Sequence, residues 1–247
     1  MKTGISFYDI HCHVLPGLDD GPGTIEESLR MLEIAREDGI KVIAATPHMM
    51  DGVHNVSRDS IAGAVDNLNA LLSDGPRVVS GADIRICIDL IGKVERRELP
   101  LINGGNYFLI EMPSYGIPPL LELKNLVSNL KMRRFVPVIT HPERNFVLAG
   151  NLSIMAELRK MGALFQITAG SIIKAFGPVV QKSALRMLKK GLVDVVATDA
   201  HDPEKRPPIL SHAYKFVADK FGAGRALRLF SENPLKIIEN GVIDSQF

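Results

Sequence analysis

The first chemical signal in the chain is Asp9-Ile10-His11-Cys12-His13. It follows a short apolar run, Ile5 to Tyr8, that reads as a buried strand. Alternate side chains of a strand share a face, so His11 and His13 project together and Cys12 projects the other way. Two adjacent imidazoles suit a borderline divalent cation such as zinc, iron or manganese. Taken alone, such a pair equally fits a solvated strand, and the remaining ligand types decide between the two.

Those residues recur at one kind of position. His48 follows the apolar run 41–46, and Asp83 sits near the end of the run 77–84. Glu111 ends the run 107–111, His141 ends 136–141, and Asp199 ends 192–199 with His201 just beyond. Asp20 lies in the turn-rich loop after the first run. Five of the seven histidines thus fall at or just past the end of a predicted strand. Each has an ordinary structural reading on its own: Asp83 as a turn cap, Asp20 as an Asx-turn, Glu111 as an arginine partner. Their common placement points to one metal site.

The elements that would position them alternate regularly. Thr24-Ile25-Glu26-Glu27 is a capping box, and Ile25, Leu29 and Leu32 form one stripe of a helix that Gly39 stops. Further helices are expected over about 59–72, 88–95, 120–131, 152–161, 179–190, 208–221 and 223–232, with a strand at 163–168. Strand-helix alternation implies parallel pairing with right-handed crossovers. At this length the expected closure is a single TIM-like distorted (β/α)7 barrel, with an open doubly wound sheet as the alternative. No linker or shift of composition divides residues 1–247, so one domain is expected. In such a barrel the strand ends converge on one rim, where active sites are built. The carboxylates of Asp20, Asp83, Glu111 and Asp199 call for more than one divalent ion, and several ions would favour an anionic substrate such as a phosphate monoester.

Composition narrows the partners. The 247 residues carry a formal charge of +1, which gives no reason to expect nucleic acid or a membrane surface. No apolar run is long enough for a membrane span, and no signal peptide is expected. Two cysteines are too few for a disulfide framework and fit a reducing cytoplasm. Neither Cys12 nor Cys87 has an arginine six residues on; Leu18 and Lys93 stand there, so the loop of cysteine phosphatases is absent.

Asp9-Ile10-His11-Cys12-His13, Asp19-Asp20-Gly21-Pro22, Thr46-Pro47-His48, Glu111, His141-Pro142-Glu143-Arg144 and Asp199-Ala200-His201 resemble the PHP (polymerase and histidinol phosphatase) superfamily. The resemblance runs from the first strand to Asn233-Pro234. Asp-Asp-Gly-Pro and Lys205-Arg206-Pro207-Pro208 are similar to the bacterial protein-tyrosine phosphatases of capsule and exopolysaccharide loci. The resemblance implies two to three divalent ions, typically manganese, with iron, zinc or magnesium as alternatives. It implies one ion held by His11, His13 and Asp199, a second by Glu111 and His141, and a third by Asp20, His48 and His201. Family members carry a bridging glutamate in Gly-x-Glu; here Gly81-Ala82-Asp83 has a carboxylate one methylene shorter. Arg144 and Arg206 match the phosphate-binding arginines, whose guanidinium forks suit phosphate oxygens. The implied substrate is the phosphorylated tyrosine tail of a bacterial tyrosine kinase, attacked by metal-activated water without a phosphocysteine.

Three other functions compete. A histidinol-phosphate or other small phosphomonoester phosphatase would share fold and metals. A nuclease would need a basic track. A weakly catalytic metal-binding regulator of the kinase would be consistent with Asp83. His54 is expected to be solvated and His212 structural or at the surface, Gly104-Gly105 to form a plain turn, and Ser114-Tyr115-Gly116 to form a rim loop that either lines the groove or does not touch it.

Overall fold

The computed structural model describes residues 4–113 and 115–243. Nine strand segments follow the sequence order: β1 Phe7–Cys12, β2 Ile40–Ala45, β3 His48–Met49, β4 Arg77–Ser80, β5 Asp83–Arg85, β6 Tyr107–Glu111, β7 Val136–Thr140, β8 Leu164–Thr168 and β9 Val195–Ala197. Every pairing among them is parallel. The strand expected over 77–84 is split in two, and a further short segment, β3, follows the strand expected over 41–46. Thr46-Pro47 separates β2 from β3, and Gly81-Ala82 separates β4 from β5, as expected where proline withholds a ladder donor and glycine has no side chain to pack.

These breaks correct the expectation of one closed barrel. The strands form a three-stranded sheet, β1-β2-β4, and a six-stranded sheet, β3-β5-β6-β7-β8-β9, with no closed sheet among the described residues. The two sheets meet along two seams. At one, the chain itself passes between them through the breaks, with Thr46 N donating to Cys12 O at 2.9 Å to extend the β1–β2 ladder and Asp83 N to Pro47 O at 3.1 Å to extend the β3–β5 ladder. At the other, Asp199 N donates to His11 O and His13 N to Ala200 O, each at 2.8 Å, beside an isolated bridge between Cys12 and Ala200. The buried Asp9 carboxylate adds to this second seam by accepting from Thr198 N at 3.1 Å and from the Thr198 hydroxyl.

Core packing follows the strand faces. Ile10, Ala44, Val79, Leu109, Val138 and Val195 form one apolar cluster drawn from six strands. The larger cluster lies under the helices and includes Phe7, Met31, Ile61, Phe108, Phe165 and Phe230. Ile10 belongs to the first cluster, while Cys12, two residues later, belongs to the second. A register irregularity between Asp9 and Cys12 breaks the alternation, as a bulge does.

The helices are α1 Ile25–Asp38, α2 Arg58–Leu71, α3 Leu90–Glu95, α4 Leu120–Met132, α5 Phe146–Gly150, α6 Leu152–Met161, α7 Ala169–Ile172, α8 Gly177–Lys189, α9 Ser211–Phe221, α10 Ala223–Leu227 and α11 Asn233–Ile238. The capping box on α1 forms as expected: Glu27 N donates to the Thr24 hydroxyl at 3.3 Å, and the Glu27 carboxylate accepts from Thr24 N. The chain does not stop its helices before Asn233-Pro234. A π turn, Arg228–Glu232, joins α10 to α11, and Pro234 sits in the first turn, where no amide proton is needed. No described helix is long and apolar enough to cross a membrane.

Candidate metal centre

The strand ends bring all nine candidate ligands together. His11 and His13 are fully buried at the end of β1, and Asp83 is fully buried at the start of β5. Glu111 ends β6, His141 follows β7, and Asp199 and His201 follow β9. His141 (φ 32) and Asp199 (φ 52) have left-handed backbones, an uncommon conformation for side-chain-bearing residues that is concentrated at functional sites.

The donor atoms form three overlapping groups. His11 Nε2 and His13 Nε2 lie 3.2 Å apart, with Asp199 Oδ1 3.3 Å from the first and 3.5 Å from the second. Asp83 Oδ2 lies 3.6 Å from His11 Nε2 and 3.7 Å from both His48 Nδ1 and His141 Nε2. Glu111 stands 3.9 Å from His141 and from His48. Asp20 Oδ1 lies 3.4 Å from His201 Nε2 and 3.7 Å from His48 Nε2. Potential ligand atoms within 4.8 Å of one another come from His13, Asp20, His48 and His201, from His11, His13 and Asp83, and from His48, Asp83 and Glu111. The shorter Asp83 side chain therefore still reaches three imidazoles.

The chemistry of these donors fits divalent cations. His11 Nδ1 donates to Gln166 Oε1 at 2.9 Å, His13 Nδ1 to Asp19 Oδ2 at 2.6 Å, and His201 Nδ1 to Asp199 O at 3.0 Å. Each ring donates outward from Nδ1, which leaves Nε2 as the atom that faces the cluster. Asp83 Oδ2, Glu111 Oε2 and His48 Nδ1 are buried without a hydrogen bond. Buried polar atoms rarely go unpaired, so lone pairs converging on a common centre mark a cation site.

Protonation follows from burial and charge. Burial pushes His11 down to about 3, against the pull of Asp83 and Asp199, so the ring is neutral. Burial also disfavours charge on His13, but hydrogen bonds to Asp19 and Asp199 outweigh it and hold that ring at about 10. Burial raises the Asp199 carboxyl, yet Arg144 and the histidines hold it well below the usual range. Burial and then the neighbouring Asp83 raise Glu111.

Two arginines close the opposite side. Arg206 Nη2 donates to Asp199 Oδ2 and to Asp199 O, both at 2.8 Å, and Arg144 Nη2 donates to the same Oδ2. Both guanidiniums line a cleft of about 180 Å³ together with His48, Glu111, His141 and His201.

Sequence reasoning missed several supporting residues. Asp19 holds His13, accepts from His48 N at 2.9 Å, and accepts from Gly21 N at 3.0 Å. Gly21 is required there, because a Cβ would lie 2.6 Å from His13 O. Gln166 is a lone amide in the apolar strand β8, which is a readable signal. Arg85 Nε approaches Glu111 Oε2 at 3.1 Å. His54 is half-buried, bonded to Asp51 at 2.7 Å and stacked beside His48 with ring centroids 6.1 Å apart, so it is less solvated than expected. His212 is exposed on α9, and Gly104-Gly105 forms a turn. Tyr115 is exposed, while Ser114 lies outside the described residues. Cys12 is buried and Cys87 half-buried, both free.

Parallel strands that deliver His, Asp and Glu to one rim, with two arginines facing them, define the class: an α/β protein whose strand ends carry a site suited to divalent metal. The family model described as capsular polysaccharide synthesis, CpsB/CapC, matches residues 7–239, and the chain belongs to that family. Tyrosine-protein phosphatase YwqE of Bacillus subtilis is 35% identical over 241 residues, which cover 96% of this chain and 94% of the relative. Tyrosine-protein phosphatase CpsB of Streptococcus pneumoniae is 34% identical over 243 residues, 95% and 99% of the two chains. A solved structure from work on these two proteins, described as unique metal-dependent tyrosine phosphatases, superposes with a TM-score of 0.92 at 34% identity and covers 97% of each chain.

Proposed function

We propose that this chain is a metal-dependent protein-tyrosine phosphatase of capsule or exopolysaccharide synthesis. Arg144 and Arg206 converging on Asp199, beside buried carboxylate and imidazole atoms without hydrogen-bond partners, is the observation that carries the reading. His11, His13 and Asp199, then Glu111 and His141, then Asp20, His48 and His201, with Asp83 between them, are the proposed ligands of two to three ions, manganese first among the candidates. Divalent cations there would supply Lewis acidity and water activation. Arg144 and Arg206 bind the phosphoryl oxygens and stabilise charge that develops on them. The phenolate is a good leaving group, with a pKa of about 10, so protonation of it is not demanding. Cys12 takes no part: burial raises its thiol well above the ordinary value.

The proposed substrate is the phosphorylated tyrosine tail of a bacterial tyrosine kinase in the cytoplasm, a setting consistent with two free cysteines. The seven strand positions, with the end of β1 bonded to the segment after β9, support reading the chain as one domain with a distorted (β/α)7 barrel whose sheet is interrupted. Assaying a phosphotyrosine peptide, histidinol phosphate and single-stranded DNA side by side tests the proposal. Selective turnover of the peptide is expected. Preference for histidinol phosphate, or no turnover of any of them by the metal-loaded protein, would overturn it.

A further inference from the structure

β8 is the one strand of the rim whose end delivers no candidate ligand. The loop beyond its short helix α7 instead carries Phe176 against the two arginines that line the cleft. The Arg144 guanidinium lies 5.0 Å from the Phe176 ring centroid, and the Arg206 guanidinium lies 5.5 Å from it. One aromatic ring thus contacts both arginines, which also share Asp199 Oδ2. Two like charges held this close repel each other. The negative π face of an arene attracts cations and offsets part of that cost. Neither arginine Nε has a hydrogen-bond partner, so the forks are fixed only at their Nη atoms and by the ring.

The ring is itself firmly seated. Its Cε2 edge packs against Gly170, where an added Cβ would lie only 3.0 Å away. Lys174 (φ 72) and Gly177 (φ 85) turn the loop through left-handed backbone, and Ala175 N donates to Gly170 O at 2.9 Å. Glu143, next to Arg144, accepts from Thr168 N at 2.9 Å and from the Ser171 hydroxyl at 2.7 Å. That carboxylate ties the Arg144 loop to the α7 segment preceding Phe176.

We infer that Phe176 is a positioning residue of the phosphate site, whose ring face holds Arg144 and Arg206 side by side for one phosphoryl group. The inference rests on the reading of these arginines as phosphate ligands. The Glu143 carboxylate fixes the Arg144 loop against the segment that precedes Phe176, and the ring fixes the orientation of the forks.

Binding of inorganic phosphate to the full-length metal-loaded protein, followed by calorimetry, tests this, with metal content and melting temperature measured alongside. Phe176→Leu should weaken phosphate binding about tenfold, the scale for losing contacts of this kind. Phe176→Tyr, which keeps the ring, should stay within about threefold. In an Arg206→Ala background the effect of Phe176→Leu should shrink, because one of the two partners is already gone. Pentafluorophenylalanine at position 176 keeps the shape but removes the negative face. It should weaken phosphate as Phe176→Leu does, and it decides the matter if the leucine variant fails to fold. Unchanged phosphate binding in the fluorinated protein, with Arg144→Ala clearly impaired, overturns the positioning role and leaves the phosphate pocket standing. Parent-like binding by both Arg144→Ala and Arg206→Ala would instead overturn the pocket itself.

Discussion

His11 and His13 face each other through Nε2 atoms 3.2 Å apart, and each ring is held from behind through its Nδ1. Gln166 Oε1 accepts from Nδ1 of the first and Asp19 Oδ2 from Nδ1 of the second. Two lone pairs at this separation repel unless a cation lies between or beside them. A proton on His13 can serve: burial disfavours it, but hydrogen bonds to Asp19 and Asp199 hold that ring at about 10, while burial pushes His11 down to about 3. A divalent ion competes with that proton for the same lone pairs.

The metal requirement follows directly. Elemental analysis of the purified protein should find more than one transition-metal ion per chain. Chelation should abolish phosphotyrosine hydrolysis, and adding manganese back should restore it. A metal-free protein with full turnover would sink the metal-centre reading.

Asp19 gives a second test, because it does not line the cleft and is not one of the proposed ligands. It orients the His13 ring and bonds the His48 amide, so Asp19→Asn weakens two ligands at once. Losing such an orienting carboxylate typically costs about 10- to 100-fold in metal affinity or activity. Titration of the apo protein with manganese should show the loss. Parent-like affinity in Asp19→Asn would reduce Asp19 to a loop staple.

The ligand rim was legible in the sequence because most donors fall at or just past the end of an apolar run, and the end of such a run is set by local pattern. His48, Asp83, Glu111 and His141 could be placed without any tertiary contact. Asp19 was not recognised because an Asp two residues before Gly21 reads equally well as an Asx-turn, and it does form that bond to Gly21 N. Phe176 was unreadable, since an aromatic residue before a helix is ordinarily core and its two cations come from loops about 30 residues away on either side. The closed sheet failed for a related reason. Pattern reports where strands lie, but Pro47 and Gly81 act on the ladder between them, which pattern does not report. The last strand was expected over 192–199, yet the ladder forms only at Val195–Ala197, because hydropathy marks burial and burial extends beyond pairing.

Cysteine chemistry is excluded by a different measurement. Cys12 is completely buried beneath the helices, and a hydroxyl in its place needs a partner. Cys12→Ser should therefore lose about 1–3 kcal/mol of stability. Below its melting temperature it should keep most of its turnover, as should the half-buried Cys87→Ser. A folded Cys12→Ser protein without turnover would contradict hydrolysis by activated water.

Arg144 offers the sharpest separation between binding a metal and handling a phosphate. It lies in the turn after His141, and its guanidinium reaches Asp199 at the cleft. Burial works against its charge, but Asp199 and then Glu143 more than compensate, so its pKa is raised and it remains a cation. Arg144→Ala should lower kcat/KM for a phosphotyrosine peptide by about 2–4 kcal/mol, the scale for one preorganised donor to developing charge. Metal content should hardly change, because arginine has no lone pair to give. His141→Ala should lose metal together with activity. Arg144→Lys should recover only part of the loss, since an ammonium replaces the fork and packs less well on Phe176. Kinetics and metal content measured together on the three variants decide the matter. Hydrolysis by Arg144→Ala at the parent rate would make Arg144 merely a counter-ion of Asp199, and the phosphate would then have to bind elsewhere on the rim.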